Sequence, residues 1–153
     1  MNAKPGTPLA PGDTLDVVSF EVEAGKIGEF ARATQASDPV HTDPHTAIRA
    51  GFTAVAATPT HVVVAGHHRN QQEFVRALDM DIKRIVVGSV RWDYARPLVA
   101  GDQLTGTRCV LSDERKRGKR GGLMRLVTLE TAWVDSAGQA AVTQREVLIE
   151  RGA

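Results

Sequence analysis

Residues 58–78 constrain the fold more than any other segment. Thr58 followed by Pro59 reads as a helix N-cap with proline at the first helical position, and the run Val62-Val63-Val64-Ala65-Gly66 just beyond is apolar almost all round. A helix apolar on every side has to be buried, so something must wrap it. The wrapping is legible downstream: residues 85–94, 103–112, 123–134 and 139–150 are β-rich and are separated by turn-forming stretches at 96–102, 117–122 and 135–138. Upstream, residues 15–23 predict a strand with an alternating second half. Residues 24–35 predict an amphipathic helix, with Ile27, Phe30 and Ala31 at spacings of three and four, which the 38–44 stretch breaks. Strand, helix, loop, long buried helix and antiparallel meander together predict a single α+β domain in which the sheet curls around one central helix.

The chain's 153 residues suffice for one such core without disulfides or metal. Residues 14–153 are assigned to the domain. Residues 1–13, with three prolines, two glycines and no periodicity, are read as a tail that lies across a partner. The single cysteine, Cys109, sits in a strand-like context and cannot form an internal disulfide, which points to a reducing cytoplasm. No early apolar run resembles a signal peptide, and no stretch is long and apolar enough to span a membrane. A formal net charge of +1 supplies no field toward nucleic acid or membrane surfaces. Glycine-rich phosphate loops, nucleophile elbows and paired cysteine motifs are absent, so no cofactor is expected.

Three groups of residues could carry chemistry. His41 lies in a loop between helical segments, where a general base can face a cleft, with Asp38 three residues earlier; the bland alternative is a helix stop beside a surface histidine. His41 and His45 have no further ligands at metal-binding spacing, so no metal site is expected. Thr58, Pro59 and Thr60 open the long helix, whose free N–H groups and dipole end suit a carbonyl oxygen, although Pro59 removes one donor. His61, His67 and His68 on that helix read as core or interface residues. Arg115, Lys116, Arg117, Lys119 and Arg120 place five cations in six positions at a hairpin tip, as a solvated turn or as a clamp for phosphates. Without interleaved aromatics they are a thin footprint for nucleic acid.

These segments together resemble the MaoC-like hydratase/dehydratase superfamily, whose fold is the hot-dog: an antiparallel sheet around a long central helix. Within it, the chain is similar to the FAS1-like dehydratase N-terminal domain and to the non-catalytic subunit of two-subunit hydroxyacyl-thioester dehydratases. The likeness rests on Gly25-Lys26-Ile27-Gly28-Glu29-Phe30-Ala31, Asp38-Pro39-Val40-His41, Ala50-Gly51-Phe52, Ala57-Thr58-Pro59-Thr60, the 94–102 segment and the basic hairpin. Catalytic members carry Asp-x-Asn-Pro-x-His in the loop and His-Gly at the start of the long helix. Matching Pro39 and His41 to that motif puts Ala36 at the catalytic aspartate, Asp38 at the asparagine, and Thr58-Pro59 at the His-Gly pair.

The resemblance therefore implies a subunit that binds an acyl-CoA or acyl-carrier-protein thioester and pairs with a catalytic MaoC-like hot-dog chain. Thr58, Pro59 and Thr60 would contact the thioester, and Arg117, Lys119 and Arg120 the phosphates or the carrier. Three other readings stay open. One is a self-sufficient homodimeric enoyl-CoA hydratase using His41, perhaps with Asp38. Another is an acyl-CoA-binding module, and the last a thioesterase relying on Asp38 or Asp43.

Overall fold

The computed structural model describes residues 9–118 and 121–152. Five strands form one antiparallel sheet: β1 (Thr14–Glu21), β2 (Ile85–Tyr94), β3 (Gln103–Arg117), β4 (Leu123–Asp135) and β5 (Ala140–Arg151). Their spatial order is β1-β3-β4-β5-β2. The expected meander thus holds only for β3, β4 and β5. β2 pairs with β5 instead of β3, and β1 takes the place beside β3. The β2–β3 connection at 95–102 therefore crosses from one edge of the sheet toward the other. β2 bounds one of those edges, with Val87 at 61% and Val86 at 40% exposure.

Helix α1 (Ala24–Ala33) forms as expected and buries Ile27, Gly28 and Ala31. Its end closes on Gln35, which has a positive φ, with the Ala36 N–H bonded to the Ala31 carbonyl at 2.8 Å. A short helix, α2 (Pro44–Arg49), follows the His41 loop. It stops at Gly51, whose φ of +96° suits a residue without Cβ, while the Phe52 N–H reaches back to the Ala47 carbonyl.

The long central helix expected over 58–78 is not continuous. Residues His61–His68 form a 3-10 helix, the chain extends at Arg69 and Asn70, and α3 (Gln71–Ala77) restarts. Asn70 causes the restart, since its side chain accepts from the N–H groups of Gln72 and Glu73 at 3.2 Å. The valine run before it favours extended geometry over α-helix. Nor does Thr58 act as a side-chain N-cap. Thr60 occupies the residue before the 3-10 helix with no capping bond from its side chain, and the Thr58 carbonyl accepts from the His61 N–H at 3.0 Å.

The two halves of this broken segment pack into separate parts of the core. One cluster gathers Phe20, Ile27, Val62, Ala65, Leu104 and Trp133, the other Val75, Leu78, Val110, Val127, Leu129 and Leu148. The second also includes Leu9, whose N–H bonds to the Ala77 carbonyl, while Gly12 and Asp13 exchange backbone bonds with Val110. Residues 9–13 are thus part of the domain and not of a tail; residues 1–8 lie outside the described residues.

Candidate functional site

His41 closes a one-turn 3-10 helix, Pro39–His41. Asp38 caps that turn by accepting from the Val40 N–H at 3.1 Å. The loop docks on a short extended strip, Val55–Ala57. The Ala56 N–H donates to the Val40 carbonyl at 2.9 Å, and the Ala56 carbonyl lies 2.7 Å from Nδ1 of His41. On its other side the strip pairs with Leu98–Ala100, through Ala57 N–H to Leu98 and Ala100 N–H to Val55, each at 2.9 Å. Arg96 and Asp102 brace that segment with paired bonds of 2.8 and 3.0 Å.

This geometry fixes the chemistry available to His41. A carbonyl oxygen can only accept, so Nδ1 carries the proton and Nε2 of the neutral ring is left as the acceptor. A half-buried imidazole held this way is poised as a base or as a hydrogen-bond acceptor for a hydroxyl. No carboxylate is positioned to help it by the flanking chain. Asp38 is exposed and occupied with its turn, and Asp43 caps α2 by accepting from the His45 and Thr46 N–H groups at 3.2 and 3.0 Å. The Thr46 hydroxyl, first among its partners, holds the Asp43 carboxyl below the ordinary aspartate range. His45 is exposed on α2.

At the start of the 3-10 segment, Thr58 and His61 are buried, Thr58 at 4% exposure and His61 at 0%. The Thr58 hydroxyl and both ring nitrogens of His61 have no hydrogen-bond partner among the described residues, and the His61 ring meets Phe30 edge-on at 5.5 Å. Pro59 is exposed, and its carbonyl accepts from the Tyr94 hydroxyl. Desolvation pushes the Tyr94 hydroxyl up to about 12, so it remains a donor at neutral pH.

Burial depresses the pKa of His61 below its ordinary value. The unfolded chain then binds a proton near pH 6.5 that the folded chain refuses, so stability falls as pH drops below about 6.5 and keeps falling until the folded-state pKa is reached. Thermal unfolding between pH 7 and pH 5 should show a steeper acid loss for the wild type than for His61→Leu; parallel curves would contradict this.

A pocket of about 600 Å³, open to solvent on one side, lies where the 3-10 segment breaks into α3. Its apolar walls include Val62, Ala65, Phe74, Val75, Val90 and Leu148. Its size is that of a small-ligand pocket. Sequence reasoning missed it, because the broken helix that makes room for it was read as unbroken.

The basic hairpin stands apart from all of this. β3 and β4 run on to Arg117 and Leu123, so Arg115, Lys116 and Arg117 are exposed strand residues, and Lys116 pairs with Glu114 at 2.8 Å. Lys119 and Arg120 lie outside the described residues. The His41 loop rests on Val55–Ala57 and, through it, on Leu98–Ala100, which lead into the start of β3, whereas Arg117 is its last residue, roughly 45 Å along the strand at about 3.3 Å per residue. Within one chain Arg117 and the His41 loop do not converge.

Residues 10–144 match the family described as the FAS1-like dehydratase domain region. A UPF0336 protein of Clavibacter michiganensis is 37% identical over 150 residues, 97% of each chain. This chain belongs to the FAS1-like dehydratase family. Among solved structures, the domain is similar to a MaoC-like dehydratase, with a TM-score of 0.80 and 24% identity over 96% of this chain and 43% of that one. It is also similar to a chain of the HadBC (3R-hydroxyacyl-ACP dehydratase) complex of Mycobacterium tuberculosis, with a TM-score of 0.74 and 23% identity over 88% and 94% of the two chains. The FAS1-like dehydratase domain therefore has the MaoC-like hot-dog fold, with the central helix broken. Among its described residues no helix is long and apolar enough to cross a membrane.

Proposed function

We propose that this chain is the substrate-binding, non-catalytic half of an (R)-specific 3-hydroxyacyl-thioester dehydratase, which adds or removes water across the α,β carbons of an acyl-CoA or acyl-carrier-protein thioester. The observation that carries the reading is an incomplete acid/base site. His41 is oriented with Nε2 free, but Ala36 stands where the superfamily's aspartate belongs, and Asp38 and Asp43 are used as caps. Pro59 has no N–H to polarise a thioester carbonyl. The pocket of about 600 Å³ offers a binding half apolar surface for an acyl chain, at Val62, Ala65, Phe74, Val75 and Leu148.

The missing groups would come from a second hot-dog chain. The unpaired β2 edge, bearing exposed Val86, Val87 and Tyr94, is the surface on which such a chain would dock, extending the sheet and covering the edge. The likeness to a chain of the two-component HadBC complex supports this arrangement, as does the likeness to a chain more than twice as long as the matched part. The purified chain alone should leave a trans-2-enoyl-CoA unhydrated, followed by its absorbance; appreciable turnover would contradict the reading.

One observation favours a second reading, a self-sufficient homodimer: the free Nε2 of His41. Asp38 separates the two. As a turn cap it is replaceable by asparagine but not by alanine, whereas as a proton carrier it is replaceable by neither. Asp38→Asn should therefore retain wild-type thermal stability and substrate binding while Asp38→Ala loses some stability. Turnover by the chain alone, abolished in both variants, would favour the homodimer.

A further inference from the structure

The cavity is not simply apolar, and its polar groups form a pattern. Across the inner face of the sheet, register places Asp16 opposite Arg108, Arg108 opposite Thr131, Thr131 opposite Gln144, and Gln144 opposite Trp92. One row of five polar-tipped side chains therefore crosses all five strands. It lies between the two apolar clusters of the core, level with the break at Arg69, and Arg108, Thr131, Gln144 and Trp92 all line the cavity.

The charges in this belt are already matched. Arg69 and Arg108 both pair with Asp16, and Arg108 also donates to Glu146 at 3.1 Å, so two cations face two anions. What remains over is donors. Nε of Arg108, a residue 4% exposed, and the indole N–H groups of Trp92 and of Trp133, 1% exposed, are buried without an acceptor among the described residues. A buried donor without an acceptor is costly, so a belt of this kind favours any ligand that brings one. Since the belt carries no net charge, a neutral acceptor suits it better than a carboxylate, which would meet Asp16 and Glu146.

Resting on the acyl-binding reading above, we infer that the cavity selects an acyl chain that carries a neutral oxygen, a keto, ether or hydroxyl group, beyond its reacting carbons. The chain's apolar stretches lie against Val62 and Ala65 on one side of the belt and Val75 and Leu148 on the other. The oxygen accepts from the Trp92 indole N–H between them. Trp92 is thus a specificity-determining residue for this class of substrate.

The molecule reports on itself, because its two tryptophans, Trp92 and Trp133, both line the cavity. The test is equilibrium titration of the purified chain, by tryptophan fluorescence, with hexadecanoyl-CoA and with a series bearing one keto group at successive positions from C-5 outward. One position should bind about tenfold tighter than the plain chain. That ratio should fall toward one in Trp92→Phe, which keeps the ring and removes the N–H while leaving Trp133 as reporter. Binding of all chains with equal affinity would overturn the inference and leave the acyl-binding reading intact. Failure of every acyl-CoA to perturb the tryptophans would overturn both.

Discussion

Trp133→Ala should lower folding stability by about 3–5 kcal/mol and the melting temperature by on the order of 10 °C. Trp133 is the largest fully buried side chain, at 1% exposure. Its ring meets Phe20 edge-on at 5.3 Å, and the Arg69 guanidinium lies 5.6 Å from the ring centroid. Directly across the β3–β4 ladder stands Gly106, where a Cβ would come within 2.5 Å of the indole. The indole thus occupies the space that any other residue at 106 would fill. Gly106→Ala should accordingly cost about 1–3 kcal/mol by overpacking. Combined with Trp133→Leu it should cost less than the sum of the two, because the smaller side chain vacates the clash. Thermal unfolding of the four proteins measures this coupling, and strict additivity would show that the packing account is wrong.

Arg108→Met is the second large effect, expected to cost about 3–5 kcal/mol. The guanidinium is almost wholly buried, 4.5 Å from the Phe74 ring centroid, and bonded to both Asp16 and Glu146. Its loss leaves Glu146 with only the Gln144 amide, at 3.2 Å, among the side-chain bonds found. The cost arises from stranding a partly buried carboxylate and not from the net worth of the pair. Replacing Asp16, Arg69, Arg108 and Glu146 together with apolar residues of similar volume should therefore recover most of the stability lost by Arg108→Met alone. Denaturant unfolding of the single and fourfold variants decides it; a fourfold variant less stable than the single one would make the network itself stabilising.

Both effects lie on the inner face of the sheet, and much of that face can be read from the sequence. β2 runs over the expected residues, Ile85–Tyr94, and α1 starts at Ala24 as its apolar spacing indicates. Alternation along β3 puts Leu104, Gly106, Arg108 and Val110 on one side, and an arginine in that inward phase was a signal for the polar belt. Asn70 ahead of Gln71, Gln72 and Glu73 was equally a sign that a helix restarts there, outweighed by the apolar run before it. The pairing of β2 with β5 was not legible, because strand order depends on which edges are left free once the connections have packed. The Ala56 carbonyl that orients His41 was not legible either, since a backbone partner fifteen residues away leaves no mark in side-chain chemistry.

The central claim is that this chain binds substrate and borrows its acid/base groups. The most direct measurement is the rate of enoyl-thioester hydration when the chain is mixed with a hot-dog partner carrying the Asp-x-Asn-Pro-x-His motif, against each protein alone. The account predicts no turnover from this chain, and a rate with long acyl chains at least tenfold above that of the partner alone. Turnover by this chain alone that disappears in His41→Ala would contradict it.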